Sequence, residues 1–350
     1  MKYSSSFRDS TVLCADVLNV EDCPTNARTR LAIQLSQDAL GRAVRVPVIV
    51  VRGRRSGPVF GVTSALHGNE VNGIPVVHRL VETLNPHVLR GTVVVCPVLN
   101  VSGFMANQRE FRDGTDLNHV MPGNPAGNES NLYGHRIVER IVSKLDVLVD
   151  LHTASFGRVN SLYVRANMEE PTTAALAILQ RPQLILHNPP SDKTLRGAAA
   201  ALGIPAITVE VGDPQVFQQR HIRPTLAGIR AMLSEMKMLP KRPKTERPMP
   251  ILCRQSSWVY TSHGGLLDVI PGVGEAVEQG QLIARQTDAF GDLVAEYLAA
   301  EDGFIIGKNV NPVAPAGARI AHIGLVADAN AYRGNVGYEL GSDYKLSEES

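Results

Sequence analysis

The sequence predicts an α/β fold: a mixed, mostly parallel sheet with helices on both faces, followed by a small all-β domain. Three observations carry that expectation. Between residues 43 and 211, apolar runs of strand length alternate with segments of helical periodicity, the pattern of a sheet crossed by helices. Several of the runs are continuously apolar, as strands buried on both faces are. After a charged, proline-rich stretch the chain changes to short apolar pairs separated by Gly, Pro and Asp, the rhythm of tight turns between short strands.

In chain order, residues 1–40 show weak periodicity and are expected only to cover the sheet. Residues 43–52 alternate as an edge strand, where Pro47 is tolerated. Residues 58–66 read as a buried strand, and 73–84 as a helix with Ile74, Val77, Leu80 and Val81 on one face. Residues 92–99 are a second buried strand ending at Asn100, and 102–129 a long Gly-, Asn- and Pro-rich loop of the kind that serves function. A helix over 132–145 leads into a strand over 146–152. Further strands are expected at 162–165, 183–187 and 205–211, with helices at 169–180, 194–202 and 224–238. The expected division is an α/β domain over 1–240, a linker over 241–255, a β-rich domain over 256–330 and a polar tail over 331–350.

Composition narrows the function. The chain has 350 residues, 44% hydrophobic and 20% charged, as ordinary globular proteins are. Lys and Arg total 35 against 34 Asp and Glu, which leaves no electrostatic footprint for nucleic acid or an anionic membrane. No apolar run approaches the ~20 residues that span a bilayer, and the first residues lack the apolar core of a signal peptide. Cys14, Cys23, Cys96 and Cys253 are scattered without C-x-x-C spacing and read as reduced thiols of a cytoplasmic protein. The expected partner is a small-molecule substrate; a homo-oligomer stays open.

The chemistry starts at His67-Gly-Asn-Glu70, an imidazole and a carboxylate just past a strand. Such a pair suits Zn²⁺, though H-x-x-E alone recurs by chance, and a catalytic zinc needs a third protein ligand. His152, in Asp150-Leu-His-Thr at another strand end, is the candidate, with Asp150 placed to orient it. A site of this kind also needs a base, and Glu210 ends an otherwise apolar strand where a charge is costly without a task or partner. Arg109 and Asn118, in the long loop, offer a cation and an amide for an oxyanion or a substrate carboxylate.

His67-Gly-Asn-Glu70, Arg109 followed by Asp116-Leu-Asn118 and Pro122-Gly123, Asp150-Leu-His152-Thr and Glu210 resemble, in order and spacing, the succinylglutamate desuccinylase/aspartoacylase family. The resemblance covers about residues 45–325. It implies a zinc carboxypeptidase-like fold and one Zn²⁺ per chain, held by His67, Glu70 and His152. It also implies Glu210 as general base and acid, Arg109 as the cation that polarises the carbonyl, and Asn118 as a binder of the substrate carboxylate. Where family members carry Arg after this Asn, the chain has His119, a shorter and only partly charged substrate-side residue. Carboxylate recognition would then pass to another cation, with Arg158, Arg165 and Arg196 as candidates.

The C-terminal region resembles a biotinyl/lipoyl-like barrel-sandwich. Its hairpin tip, residues 287–292, has no lysine to modify, which favours a cap over a carrier. The expected function is a zinc-dependent amidohydrolase that deacylates a small N-acylated amino acid or related amine. Two alternatives stay open: a metallocarboxypeptidase-like peptidase, and a zinc-stabilised binding protein without turnover.

Overall fold

The computed structural model describes residues 11–191, 193–241 and 249–327. The expected tail at 331–350 and residues 242–248 of the expected linker lie outside the described residues. Strands β1 (Val12–Ala15), β2 (Ala27–Gln37), β3 (Ala43–Arg52) and β4 (Arg55–Ser64) precede helix α1 (Gly73–Thr83). Then come β5 (Arg90–Cys96), α2 (Val101–Ala106), α3 (Glu129–Arg140), β6 (Val147–His152), β7 (Arg158–Asn160) and β8 (Leu162–Ala166). They are followed by α4 (Pro171–Gln180), β9 (Leu184–His187), α5 (Leu195–Ala201), β10 (Ala206–Val211) and α6 (Gln219–Glu235). The remainder is strand: β11 (Ile251–Tyr260), β12 (Gly265–Val269), β13 (Ala276–Val277), β14 (Leu282–Thr287), β15 (Leu293–Leu298), β16 (Gly303–Asn309), β17 (Val313–Ala314) and β18 (Arg319–Val326). Among the described residues no helix is long and apolar enough to cross a membrane.

The chain forms two compact units: Met1–His152 with Pro190–Ala206 and Ile229–Pro243, and Thr153–Pro189 with Ile207–Gly228 and Lys244–Ser350. In the first unit the strand order is β1-β2-β3-β5-β4-β6. β4 runs parallel to β5 and β6, whereas β2–β3 and β3–β5 are antiparallel. The sheet is therefore mixed: β1–β2, β4–β5 and β4–β6 are parallel, and both antiparallel pairs involve β3. Residues 27–37 form a full strand and not a cover. Leu31, Ile33 and Leu35 point inward with Arg30, Ala32 and Gln34 between them, a period of two that buries one face. β3 accordingly is not an edge strand. Pro47 sits opposite Ala32 of β2, while β5 pairs only with Ile49–Arg52, so the proline falls where β3 has one neighbour.

One core joins Ile33, Val46, Val48 and Val50 of the hairpin to Val94 of β5, Leu148 of β6, Tyr133 and Ile137 of α3, and Ala198 and Ala199 of α5. Val76, Val77, Leu80 and Val81 of α1 are buried outside that cluster, with Ile74 only half-buried. Helix α3 starts three residues earlier than expected because Asn128 caps it, its Oδ1 accepting from Asn131 N at 3.2 Å. The long loop is also less irregular than expected. It contains α2, capped by Asn100 Oδ1 on Gly103 N at 2.8 Å, and a short 3₁₀ turn at Leu117–His119.

In the second unit the main sheet runs β10-β8-β9-β11-β18-β16-β13, with β7 on β16. A separate antiparallel sheet, β15-β14-β12-β17, shares a core with it through Leu267, Ile283, Tyr297, Ile305, Ala314, Ile320 and Ile323.

Candidate metal centre

The first candidate ligands sit in a turn that the backbone has to make tightly. Past β4, Ala65 adopts φ 49°, a left-handed conformation that costs a non-glycine residue about 1–2 kcal/mol. The segment after β5 holds the turn in place: Leu99 N donates to Ser64 O at 3.0 Å and Asn100 N to Ala65 O at 2.9 Å. Gly68 then passes so close to α2 that a Cβ would lie 2.0 Å from the Gly103 carbonyl carbon. Only glycine fits there, so the glycine of H-G-N-E is a packing requirement that brings His67 and Glu70 inward.

The third candidate ligand comes from the neighbouring strand. Asp150 and His152 are two apart on β6 and therefore share a face. His152 Nε2 lies 2.7 Å from Asp150 Oδ2. Thr63 of β4 stands opposite Asp150 in register, and its hydroxyl donates to Asp150 Oδ1 at 2.6 Å.

His67, Glu70 and His152 form the group able to hold a metal, with ligand atoms all within 4.8 Å of one another. All three are buried. His67 Nδ1 is 2.8 Å from Glu70 Oε1, His152 Nδ1 is 3.0 Å from Glu70 Oε2, and the two Nδ1 atoms are 3.1 Å apart. Each histidine thus turns Nδ1 inward, while its Nε2 meets an outer carboxylate: Asp116 Oδ1 at 3.0 Å for His67 and Asp150 for His152. Imidazoles whose second nitrogen is held by a carboxylate are how proteins orient metal-binding histidines. The donor set fits a borderline-soft divalent cation such as zinc.

The electrostatics agree. Burial works to raise the Glu70 carboxyl, but the charges and hydrogen bonds of His67 and His152 hold it well below the usual range. Burial likewise disfavours a charged His152, yet Asp150 and then Glu70 push it well above an ordinary histidine. A field that stabilises a proton between these groups stabilises a metal cation for the same reason.

Arg109 joins this centre. It donates from one terminal nitrogen to Glu70 Oε1 at 2.7 Å, and from Nε and the other to Asp116 Oδ2 at 3.0 and 2.8 Å. Partial burial works to raise Asp116, but His67 and then Arg109 hold it well below the carboxylate range. Asp116 thus orients His67 and anchors Arg109 at once. The sequence reading gave it no role, although it stands in the D-L-N segment quoted for Asn118. Thr63 was also missed, because only the register of β4 against β6 brings it to Asp150.

The expected substrate residues separate. Asn118 Oδ1 accepts from Leu195 N at 2.8 Å, which ties the 3₁₀ turn to the start of α5. His119 is exposed, and its ring lies 3.9 Å from Asp116, beyond hydrogen bonding. Arg196 is buried in α5.

Glu210 and Arg158 belong to the second unit. Glu210 is buried near the end of β10. Its carboxylate takes Arg165 Nε at 3.5 Å and Asn160 Nδ2 at 3.4 Å, so the cost of its charge is met by partners on β8 and β7. Arg165 in turn donates to the Tyr163 hydroxyl at 2.7 Å. Arg158 is half-buried, with its guanidinium 5.5 Å from the Trp258 ring centre.

Residues 56–236 match the succinylglutamate desuccinylase/aspartoacylase catalytic domain, more than half of the chain. The chain belongs to this family of hydrolytic deacylases. The N-alpha-acetyl-L-2,4-diaminobutyric acid deacetylase of Halomonas elongata is 27% identical over 316 residues, which span 86% of this chain and 91% of that protein. Two solved structures share the fold. One is the product-bound ectoine utilization protein EutE (DoeB) from Ruegeria pomeroyi, with a TM-score of 0.78 and 21% identity over 87% of this chain and 98% of that one. The other is the succinylglutamate desuccinylase/aspartoacylase from Rhodobacter sphaeroides, with a TM-score of 0.79 and 21% identity over 90% and 100%.

Proposed function

We propose that the chain is a zinc-dependent amidohydrolase that removes the acyl group from a small N-acylated amino acid. The observation that carries this reading is the buried His67–Glu70–His152 cluster with a carboxylate behind each histidine. The Halomonas elongata relative, named for an N-acetyl diamino acid, supports the substrate class. Zinc bound by these three residues would supply Lewis acidity toward a water and an acyl carbonyl.

The protein's own groups do the rest. Glu210 is the general base: it takes a proton from the attacking water and passes it to the leaving amine. Arg109, held in place by Glu70 and Asp116, stabilises the negative charge that develops on the acyl oxygen. Asp150 and Asp116 keep both histidines in the ligating orientation. On the substrate side we place Arg158, His119 and the amide nitrogen of Asn118, whose oxygen serves α5.

Metal analysis of the purified protein, joined to a panel of N-acetyl and N-succinyl amino acids beside short peptides, tests the proposal. The expected outcome is one zinc per chain and hydrolysis of N-acyl amino acids, lost on chelation and restored by zinc. Cleavage of peptides alone, or a zinc-loaded chain that turns over nothing, would contradict it.

A further inference from the structure

The second unit carries a row of side chains that the proposed mechanism leaves unused. Across adjacent strands Trp258 of β11 stands opposite His322 of β18, His322 opposite Gly307 of β16, and Gly307 opposite Asn160 of β7. Asn160 is the residue whose amide reaches Glu210. The row therefore leads directly from Trp258 to the neighbourhood of Glu210 within one unit. Gly307 makes its middle possible, since a Cβ there would lie 2.2 Å from Asn160 Oδ1.

The Trp258 end is an aromatic platform ringed by cations. The indole stacks on His322 with ring centres 4.6 Å apart and planes within 4°. Arg319 stands 4.9 Å and Arg158 5.5 Å from the indole centre. Arg158 lies two residues before Asn160 on β7, hence on the same strand face. Arg165 lies 5.4 Å from the ring of Tyr163, itself edge-on to His322 at 6.5 Å. Burial first, then the charges of Arg165, Arg158 and Arg319, push His322 down to about 3, so it stays neutral near pH 7. Trp258 and Arg158 are half-buried and Arg319 is exposed, so a small molecule can reach the platform.

We propose that Trp258, Arg158 and Arg319, with Arg165 beside them, form a subsite for a carboxylate that the substrate carries away from the scissile amide. Guanidinium groups bind carboxylates with paired, charge-assisted hydrogen bonds, and an indole face beneath them fixes the plane of approach. The same charges disfavour an ammonium group at this position. The inference rests on the reading that Glu210 works on the substrate. The carboxylate has two available sources, the acyl group of a dicarboxylic acid and the α-carboxylate of the amino acid, and both offer the same chemistry.

Trp258 is the only tryptophan of the chain and so reports on its own site. The zinc-loaded full-length protein is titrated with succinate while tryptophan emission is followed, with uncharged succinamide as control. The expected result is a saturable change with succinate alone, its midpoint raised about tenfold in Arg319→Gln and in Arg158→Gln. An equal response to succinamide, or an unchanged midpoint in Arg319→Gln, overturns the subsite. Kinetics identify the source. If Arg319→Gln raises KM for N-succinyl-alaninamide, the acyl carboxylate occupies the platform; if it raises KM for N-acetylalanine, the α-carboxylate does. KM unmoved for both overturns the inference. If neither compound is hydrolysed by the wild type, the deacylase reading fails while the emission titration still answers for the subsite.

Discussion

The cluster around His67 and the row from Glu210 to Trp258 are built on opposite principles. In the first, every candidate ligand has a second anchor: Asp116 behind His67, Asp150 and Thr63 behind His152, and Arg109 on Glu70. It is buried and wired by carboxylates. In the second, Glu210 pairs with Arg165, while Arg158 and the exposed Arg319 flank an aromatic stack. The first arrangement suits a cation held still. The second suits an anion that comes and goes. On the functions proposed above, the first region sets the chemistry and the second selects the substrate.

The strongest way to break the contrast is to remove a ligand. His152→Ala is expected to abolish both zinc binding and turnover, read by metal analysis and assay on one preparation; zinc retained at full stoichiometry would remove His152 from the centre. Asp150→Asn is milder. Losing the carboxylate behind His152 is expected to weaken zinc binding about 10–100-fold, measured by competition with a chelator. An affinity unchanged by that variant would make the outer carboxylates mere packing. Gly307→Ala addresses the other region. The added methyl would press on Asn160 and cost about 1–3 kcal/mol in denaturant unfolding, with the zinc content unchanged.

The two regions also differ in how far the sequence reveals them. The cluster of candidate ligands was legible because H-G-N-E and D-L-H are short, and each stands at or just past an apolar strand that a reader can see. Gly68 and Asp150 fell inside those same motifs. The outer anchors were less legible. Thr63 looks like any residue of a buried strand until register places it against Asp150. Asn160, Trp258, His322 and Arg319 are spread over more than 150 positions, and only strand pairing lines them up. The same distinction holds for the fold. Continuous apolar runs announced β4, β5 and β6, whereas β2, with its arginines and glutamines on the half-exposed face, did not look like a strand. Asn118 marks a further limit, since nothing in the sequence shows that its oxygen holds the backbone of α5.

The central claim is that Glu210 is the general base of the proposed hydrolysis. Glu210→Gln tests it most directly, because the substitution keeps shape while removing the base. Zinc content and kcat for the best N-acyl amino acid are measured on the same zinc-loaded sample. The account predicts one zinc per chain, as in the wild type, and kcat lower by about 10²–10⁴-fold. Near-wild-type turnover with zinc still bound would contradict it.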